Sequence, residues 1–310
     1  MSARRAADLP LRLAFVGQGV YFRQCALELP AAGVEPSFVD FRAGAPPAPM
    51  LARLIELDPD VVLVFRPEIV PPRLFAELRA VTIGFLTEPL PRTGGSDHPD
   101  LRTRLGWLQQ VDATNFDRIV SFDPLIAQTA ERVLPVWRSL PLPVADSLFG
   151  DVRPRASPPA LLFVGRSSKH REAYLSVLQG KHDYVHVGHG LYGEQLQAFL
   201  RRADVELNLH NNPYPTFENR VCIALAAGHL VISEPLSPPH DLRPSEHFLE
   251  IGTPRELLDL LDLLSAQPGA FAEVQAAGRL AAERFRASLL YPQLIRDALA
   301  DTASGGGRVR

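Results

Sequence analysis

Residues 60–65 read DVVLVF: after one aspartate come five apolar residues with no polar residue between them. A strand covered on one face alternates apolar and polar side chains, whereas a run apolar at every position is buried on both faces. That asks for helices on each side of a sheet. Apolar runs of the same kind recur at residues 11–17, 37–42, 81–86, 118–122 and 137–142, with stretches of helical spacing between them. This alternation defines a parallel, doubly wound sheet. At residues 140–159 the pattern stops at Pro141, Pro143, Pro154, Pro158 and Pro159, since proline lacks the donor that helices and ladders both use. The cycle then restarts with ALLFVG at 160–165, YVHVG at 184–188, VELNL at 205–209, HLVIS at 229–233 and FLEIG at 248–252. Helices are expected from Lys169, Tyr192 and Phe217, and over 254–266, 269–286 and 292–301.

The chain is thus expected to be α/β, with two Rossmann-like, doubly wound domains facing a central cleft. Their bounds are 1–145, a linker at 146–158, 159–286, a final helical segment at 287–303 and a disordered tail at 304–310. Length agrees, because 310 residues is about twice one ordinary domain. With 46% hydrophobic and 22% charged residues, the chain has the composition of a packed globular protein. Its 32 basic and 35 acidic residues leave a net charge of −3, which offers no overall attraction to nucleic acid or anionic membrane. Any anion site must be a local cluster. No apolar run is long enough for a signal peptide or a membrane span, so a cytoplasmic location is expected. Cys25 and Cys222, in apolar helical contexts, are expected to be free thiols.

Gly165–Glu172, GRSSKHRE, is the densest anion candidate. Arg166, Lys169 and Arg171 crowd a turn between strand and helix, with Ser167 and Ser168 as further donors; backbone N–H groups at the helix start suit a diphosphate. Both lysines of the chain are Lys169 and Lys181, which singles out Lys169. Downstream, LNLHNNPYPTFENRVCIALAAGHLVISEP, residues 207–235, gathers Asn208, His210, Asn211 and Asn212 after a buried strand. Thr216 is expected to cap a helix whose first turn is Phe217, Glu218, Asn219 and Arg220. In the first half, Gly17-x-Gly19 with Asp40 partly matches a dinucleotide fingerprint, but Phe22 stands at the third glycine. A plain tight turn and a ligand role both remain open there. Asp58 with Asp60 is spelled like a metal-binding pair but precedes its strand, opposite the ligand crevice of a doubly wound sheet, and His182, His186 and His189 lack the spacing of a zinc site, so no metal is expected. His189 keeps a place as a ligand candidate because glycines flank it at a strand's carboxyl end.

The succession FVGRSSKHREAYL, GHGLYGEQL, ADVELNLH, FENRVCIALAAGHLVISEP and AAGRLAAERF resembles the C-terminal domain of group 1 glycosyltransferases, nearest their CgeB-like branch, over about 130 residues. The resemblance implies a GT-B fold with the last helix crossing back to the first domain. It implies metal-independent, configuration-retaining transfer of a sugar from a nucleotide diphosphate donor, without a further cofactor. The acceptor, a glycan, protein or small molecule, would sit on the N-terminal domain. It places Gly165, Arg166, Ser167, Lys169, His189, Tyr192, His210, Asn211, Phe217, Glu218 and Asn219 around the donor, with Arg171 and Arg220 meeting the leaving diphosphate. In the first domain Glu88 is the candidate to orient or deprotonate the acceptor hydroxyl, or else to pair with Arg92; Gly17, Gly19 and Arg92 are the other acceptor candidates. One departure stands out: Ile223 and Pro215 occupy positions where the family carries acidic residues, and Glu218 is the nearest substitute for holding the ribose. A catalytically inactive GT-B-like binding protein and an NAD-dependent oxidoreductase are the alternative expectations.

Overall fold

The computed structural model of the chain describes residues 10–29, 33–92, 98–188 and 191–304. It divides into two units, residues 1–145 with 287–310, and residues 146–286.

Among the described residues of unit 1, six parallel strands run in the order β2-β1-β3-β4-β5-β6. They are β1 Leu11–Gly17, β2 Val34–Asp40, β3 Val61–Phe65, β4 Val81–Leu86, β5 Arg118–Ser121 and β6 Arg138–Ser139. The apolar run at 61–65 is β3, and its side chains divide between two cores. Val62 and Val64 join Ala14 and Val16 on one face, while Val61, Leu63 and Phe65 join Leu13 and Phe15 on the other. Helices α1 Gly19–Leu27, α2 Pro47–Leu57, α3 Pro99–Leu108 and α4 Ala127–Ala130 connect the strands. The strand expected over 137–142 pairs only at Arg138 and Ser139, since Pro141 has no N–H to extend the ladder.

The last helix is α10 Ala287–Ala303, and it runs through Pro292, which the local reading of the sequence takes as a helix start. Ala287, Tyr291, Leu294, Ile295 and Ala298 recur every three or four residues and are buried, so one continuous apolar stripe outweighs the proline penalty. All five join the second face's core. Tyr291 packs edge-on to Phe15 at 4.9 Å, and its hydroxyl lies 3.5 Å from the Cys25 thiol. Burial pushes that thiol up to about 11. Ring burial should therefore carry this docking: Tyr291→Phe is expected to cost no more than about 1 kcal/mol, the net worth of one hydrogen bond, in urea unfolding followed by tryptophan fluorescence.

In unit 2 the parallel order is β11-β10-β9-β7-β8, with β7 Leu161–Val164, β8 Tyr184–Val187, β9 Val205–Asn208, β10 Leu230–Ser233 and β11 Leu249–Glu250. The helices are α5 Lys169–Leu175, α6 Gly193–Leu200, α7 Asn219–Ala226, α8 Pro254–Ala266 and α9 Ala272–Ala281. The helix expected over 269–286 is thus α9 followed by a short 3-10 turn, Ala282–Phe285. Residues 146–158 are fastened to this unit. Gly150 N donates to Ala226 O, Arg153 reaches the carbonyls of Arg201 and Ala203, and buried Arg155 bonds Gln275 and Ala270 O. Of the expected tail, Ser304 closes the described chain and 305–310 lie outside the described residues.

In an open parallel sheet, loops diverge where the strand order reverses, and the crevice beyond the carboxyl ends at that point takes ligands. The reversal falls between β1 and β3 in unit 1 and between β7 and β9 in unit 2.

Candidate functional site

At the unit 2 reversal, β7 leads into Gly165 and β9 into Leu209, and two arginines converge between them. Arg171, on α5, is 3% exposed. Its Nε donates to Leu209 O at 2.9 Å and its Nη1 to Arg166 O at 2.8 Å, which ties the two diverging loops together. Arg220, in the first turn of α7, donates to Asn208 Oδ1 at 2.8 Å, and Asn208 in turn donates to Ser233 Oγ. Both guanidiniums lie against the Phe163 ring, at 5.3 and 5.7 Å. Burial, and secondarily the like charge of Arg220, lowers the Arg171 pKa to about 10. It stays cationic at neutral pH, so this interior holds positive charge at an electrostatic cost that an anion would relieve. Glu218 supplies a counter-charge, 3.8 Å from Arg171 and 3.4 Å from Arg220.

Gly165 eases this approach. A Cβ there would stand 3.1 Å from Arg171 Nη1 and 3.2 Å from both Arg220 Nη2 and the Phe163 ring, so both guanidiniums would have to give by a few tenths of an ångström.

The structure brings Gly165, Arg166, Ser167, Lys169, Arg171, Asn211, Glu218, Asn219 and Arg220 into one loop cluster. Arg166, Ser167 and Lys169 are exposed on its rim, and Asn211 accepts from Arg171. Tyr192 stands half-exposed at the start of α6. His189 lies outside the described residues. Two candidates take other roles. His210 is 2% exposed; its Nε2 donates to Pro235 O and its Nδ1 accepts from Thr216, so it braces the loop, and burial lowers its pKa. Phe217 is buried, edge-on to His240. With Thr216 committed to His210, it is Glu218 that stands at the N-cap, and α7 begins at Asn219 rather than Phe217.

Sequence reasoning passed over Glu234 and His170. Glu234 follows β10, accepts His210 N–H at 2.6 Å and contacts His170 Nε2 at 2.7 Å. A lone carboxylate directly after a buried strand was the available signal.

Elsewhere the sequence motifs have structural partners. Asp58 pairs with Arg12 and Asp60 accepts Arg12 N–H; His182 meets Asp262 and His186 donates to Gly165 O. Among the described residues no three His, Cys, Asp or Glu side chains gather as a metal site. Asp40 accepts Gly19 N–H at 3.1 Å, putting a carboxylate where a dinucleotide's pyrophosphate would need that helix start. Phe22 stacks on Phe65 at 4.1 Å. This arrangement gives the oxidoreductase alternative no support. Arg92 pairs with buried Asp123, and Glu88 pairs with Arg104 and Arg66, not with Arg92.

Two parallel-sheet, Rossmann-like units make the fold GT-B, the fold of the solved glycosyltransferase structures that the chain resembles. HepE of Anabaena in complex with UDP-glucose matches over 95% of this chain and 100% of its own, with a TM-score of 0.61 at 9% identity. Sucrose-phosphate synthase of Thermosynechococcus elongatus matches over 94% and 99%, at 0.57 and 15%, and a glycosyltransferase of Rickettsia africae over 94% and 99%, at 0.61 and 10%. No family profile and no curated protein sequence matches the chain. Among the described residues no helix is long and apolar enough to cross a membrane.

Proposed function

We propose that the chain is a glycosyltransferase that moves a sugar from a nucleoside diphosphate donor on unit 2 to an acceptor on unit 1. The arginine pair at the β7/β9 reversal, Arg171 buried and Arg220 half-buried, carries this reading. Cleavage of the sugar–phosphate bond leaves growing negative charge on the diphosphate, and preorganised cations in a desolvated site stabilise that charge most as it develops. Arg171 and Arg220 supply such charge, with exposed Arg166 and Lys169 on the rim, and in this reading no metal ion is required. HepE was solved with UDP-glucose, so UDP-glucose is the donor to try first. Hexosyl transfer with retention, and a place in the CgeB-like branch, follow from the sequence resemblance; the anomeric configuration of the product, read by NMR, tests the stereochemistry.

Calorimetric titration with UDP and UDP-glucose tests the donor site. Absence of affinity for any nucleotide across a panel would sink the proposal. Ile223 in place of the family's acid keeps a second reading in view, a donor-binding protein without turnover; it predicts binding with no product.

Glu218 separates two roles. As counter-charge to the arginines it competes with an incoming diphosphate, and Glu218→Gln is then expected to tighten UDP binding by about 1 kcal/mol, roughly fivefold. Weaker binding in the variant would instead assign Glu218 to the ribose.

A further inference from the structure

We infer that unit 1 holds a site for a neutral polyhydroxyl acceptor, a sugar or the end of a glycan, built from Arg66, Glu68, Glu88, Arg104 and Trp107. The acceptor role rests on the glycosyltransferase reading above; the binding chemistry does not.

Arg66 is the first residue past β3, at the strand-order reversal of unit 1, where an open parallel sheet takes its ligand. Its backbone is left-handed, at φ 64°, a conformation that costs an arginine energy and that clusters at functional sites. In that conformation its Nε bonds Glu68 at 2.8 Å and lies 3.8 Å from Glu88, and its guanidinium stands 5.1 Å from the Trp107 ring centre. Arg104, one turn before Trp107 on α3, holds the other oxygen of Glu88 through its own Nε at 3.0 Å. Both arginines are thus fixed at Nε, and their Nη groups make no hydrogen bond to another described residue. The four charged side chains are between 12% and 31% exposed, and Trp107 is 37% exposed, so the cluster is half-buried yet reachable.

Charge decides the ligand class. Two guanidiniums against two carboxylates leave the cluster neutral, without net attraction for a phosphate. It offers donors at Nη beside acceptors at the carboxylates, and a hydroxyl is both donor and acceptor. The part-exposed Trp107 indole alongside adds aromatic surface of the kind that the C–H faces of a sugar ring cover. Arg66 and Arg104 act here as binding residues, and Glu88 as the group that orients a hydroxyl.

The chain has two tryptophans, Trp107 and Trp137, and Trp137 carries Arg138 on its ring at 3.7 Å. Indole N–H resonances of 15N-tryptophan-labelled protein therefore give a reporter at the site and a control away from it. Titration with glucose, galactose and maltose is expected to move the Trp107 resonance and leave Trp137 in place. Arg104→Ala should weaken that response about tenfold with the Trp137 resonance unchanged; if it does not fold, Arg104→Lys, which keeps charge but loses the fork, should weaken it too. The inference is overturned if no saccharide moves Trp107, if inorganic phosphate or glucose 6-phosphate alone does, or if the folded variant responds like the parent. UDP calorimetry on the same sample separates the two proposals: UDP binding without a saccharide response removes the polyol site and spares the donor site. A saccharide response without UDP binding does the reverse.

Discussion

Arg220→Ala is expected to lower kcat/KM by two to three orders of magnitude, about 2.7–4 kcal/mol of transition-state stabilisation, the usual loss for one preorganised donor. Arg220 sits at the start of α7, so its charge adds to the positive end of that helix. Its Nη1 is fixed by Asn208, and Asn208 by Ser233 on the next strand. No reorganisation is then needed when the diphosphate charge grows. Lys169→Ala is the contrast. Its ammonium is exposed at the first position of α5, and an exposed charge in water contributes about 0–1 kcal/mol. Arg171→Ala is the less clean experiment. Arg171 Nε and Nη1 hold the carbonyls of Leu209 and Arg166, and removing a buried charge from such a network costs stability. Initial rates with UDP-glucose, against a circular-dichroism control for folding, rank the three. Equal losses for Lys169→Ala and Arg220→Ala would mean that burial does not set the hierarchy.

That hierarchy shows how far the sequence reads into the site. The Gly165 turn, its arginines and the helix that follows were legible because strand, glycine and basic residues are contiguous, and contiguity fixes their common end of the sheet. Burial within the cluster was not. Arg171 and Lys169 are two residues apart and look equivalent, yet the helical turn puts one inside and one outside. His210 was read as a ligand because it follows a strand, but its ring turns inward to Pro235 and Thr216. Of the unit 1 cluster only Glu88 was legible, as a carboxylate in the loop after β4; Arg66 and Arg104 meet it across β3, β4 and α3, which no local stretch of sequence shows. The same limit applies to α10. Proline marks a helix boundary by local chemistry, whereas the stripe of Ala287, Tyr291, Leu294, Ile295 and Ala298 acts through a core assembled from the other end of the chain.

Inside unit 2 a second consequence follows from two groups that no motif flags. Glu206, on β9, is 2% exposed and His229, just before β10, 1%. Their facing atoms, Oε2 and Nδ1, stand 4.0 Å apart, too far for a hydrogen bond, and neither has another partner. His229 Nε2 donates to Leu200 O, which leaves Nδ1 a bare acceptor. Burial pushes the Glu206 carboxyl from 4.5 up to about 8, Arg220 opposing the rise, and pushes His229 from 6.5 down to about 4. Between pH 4.5 and 8 the folded chain therefore keeps a proton on Glu206 that the unfolded chain has released, so stability from this group falls as pH rises. At 1.36 kcal/mol per pH unit the full loss is on the order of 5 kcal/mol. His229 works the other way: between pH 4 and 6.5 the unfolded chain holds the extra proton, and stability rises with pH. The two slopes cancel from about pH 4.5 to 6.5 and leave a net loss of about 2 kcal/mol between pH 6.5 and 8. Glu206→Gln keeps the shape and removes the titration. It is expected to flatten that decline and to make unit 2 more stable than the parent at pH 8. Both tryptophans lie in unit 1, so the measurement is amide hydrogen exchange of β9 and β10 at pH 6.5 and 8, corrected for intrinsic rates. Parallel declines in parent and variant would show that Glu206 is already ionised in the fold at neutral pH, which would require Arg220, 14 residues away in sequence, to offset its burial far more than the geometry implies.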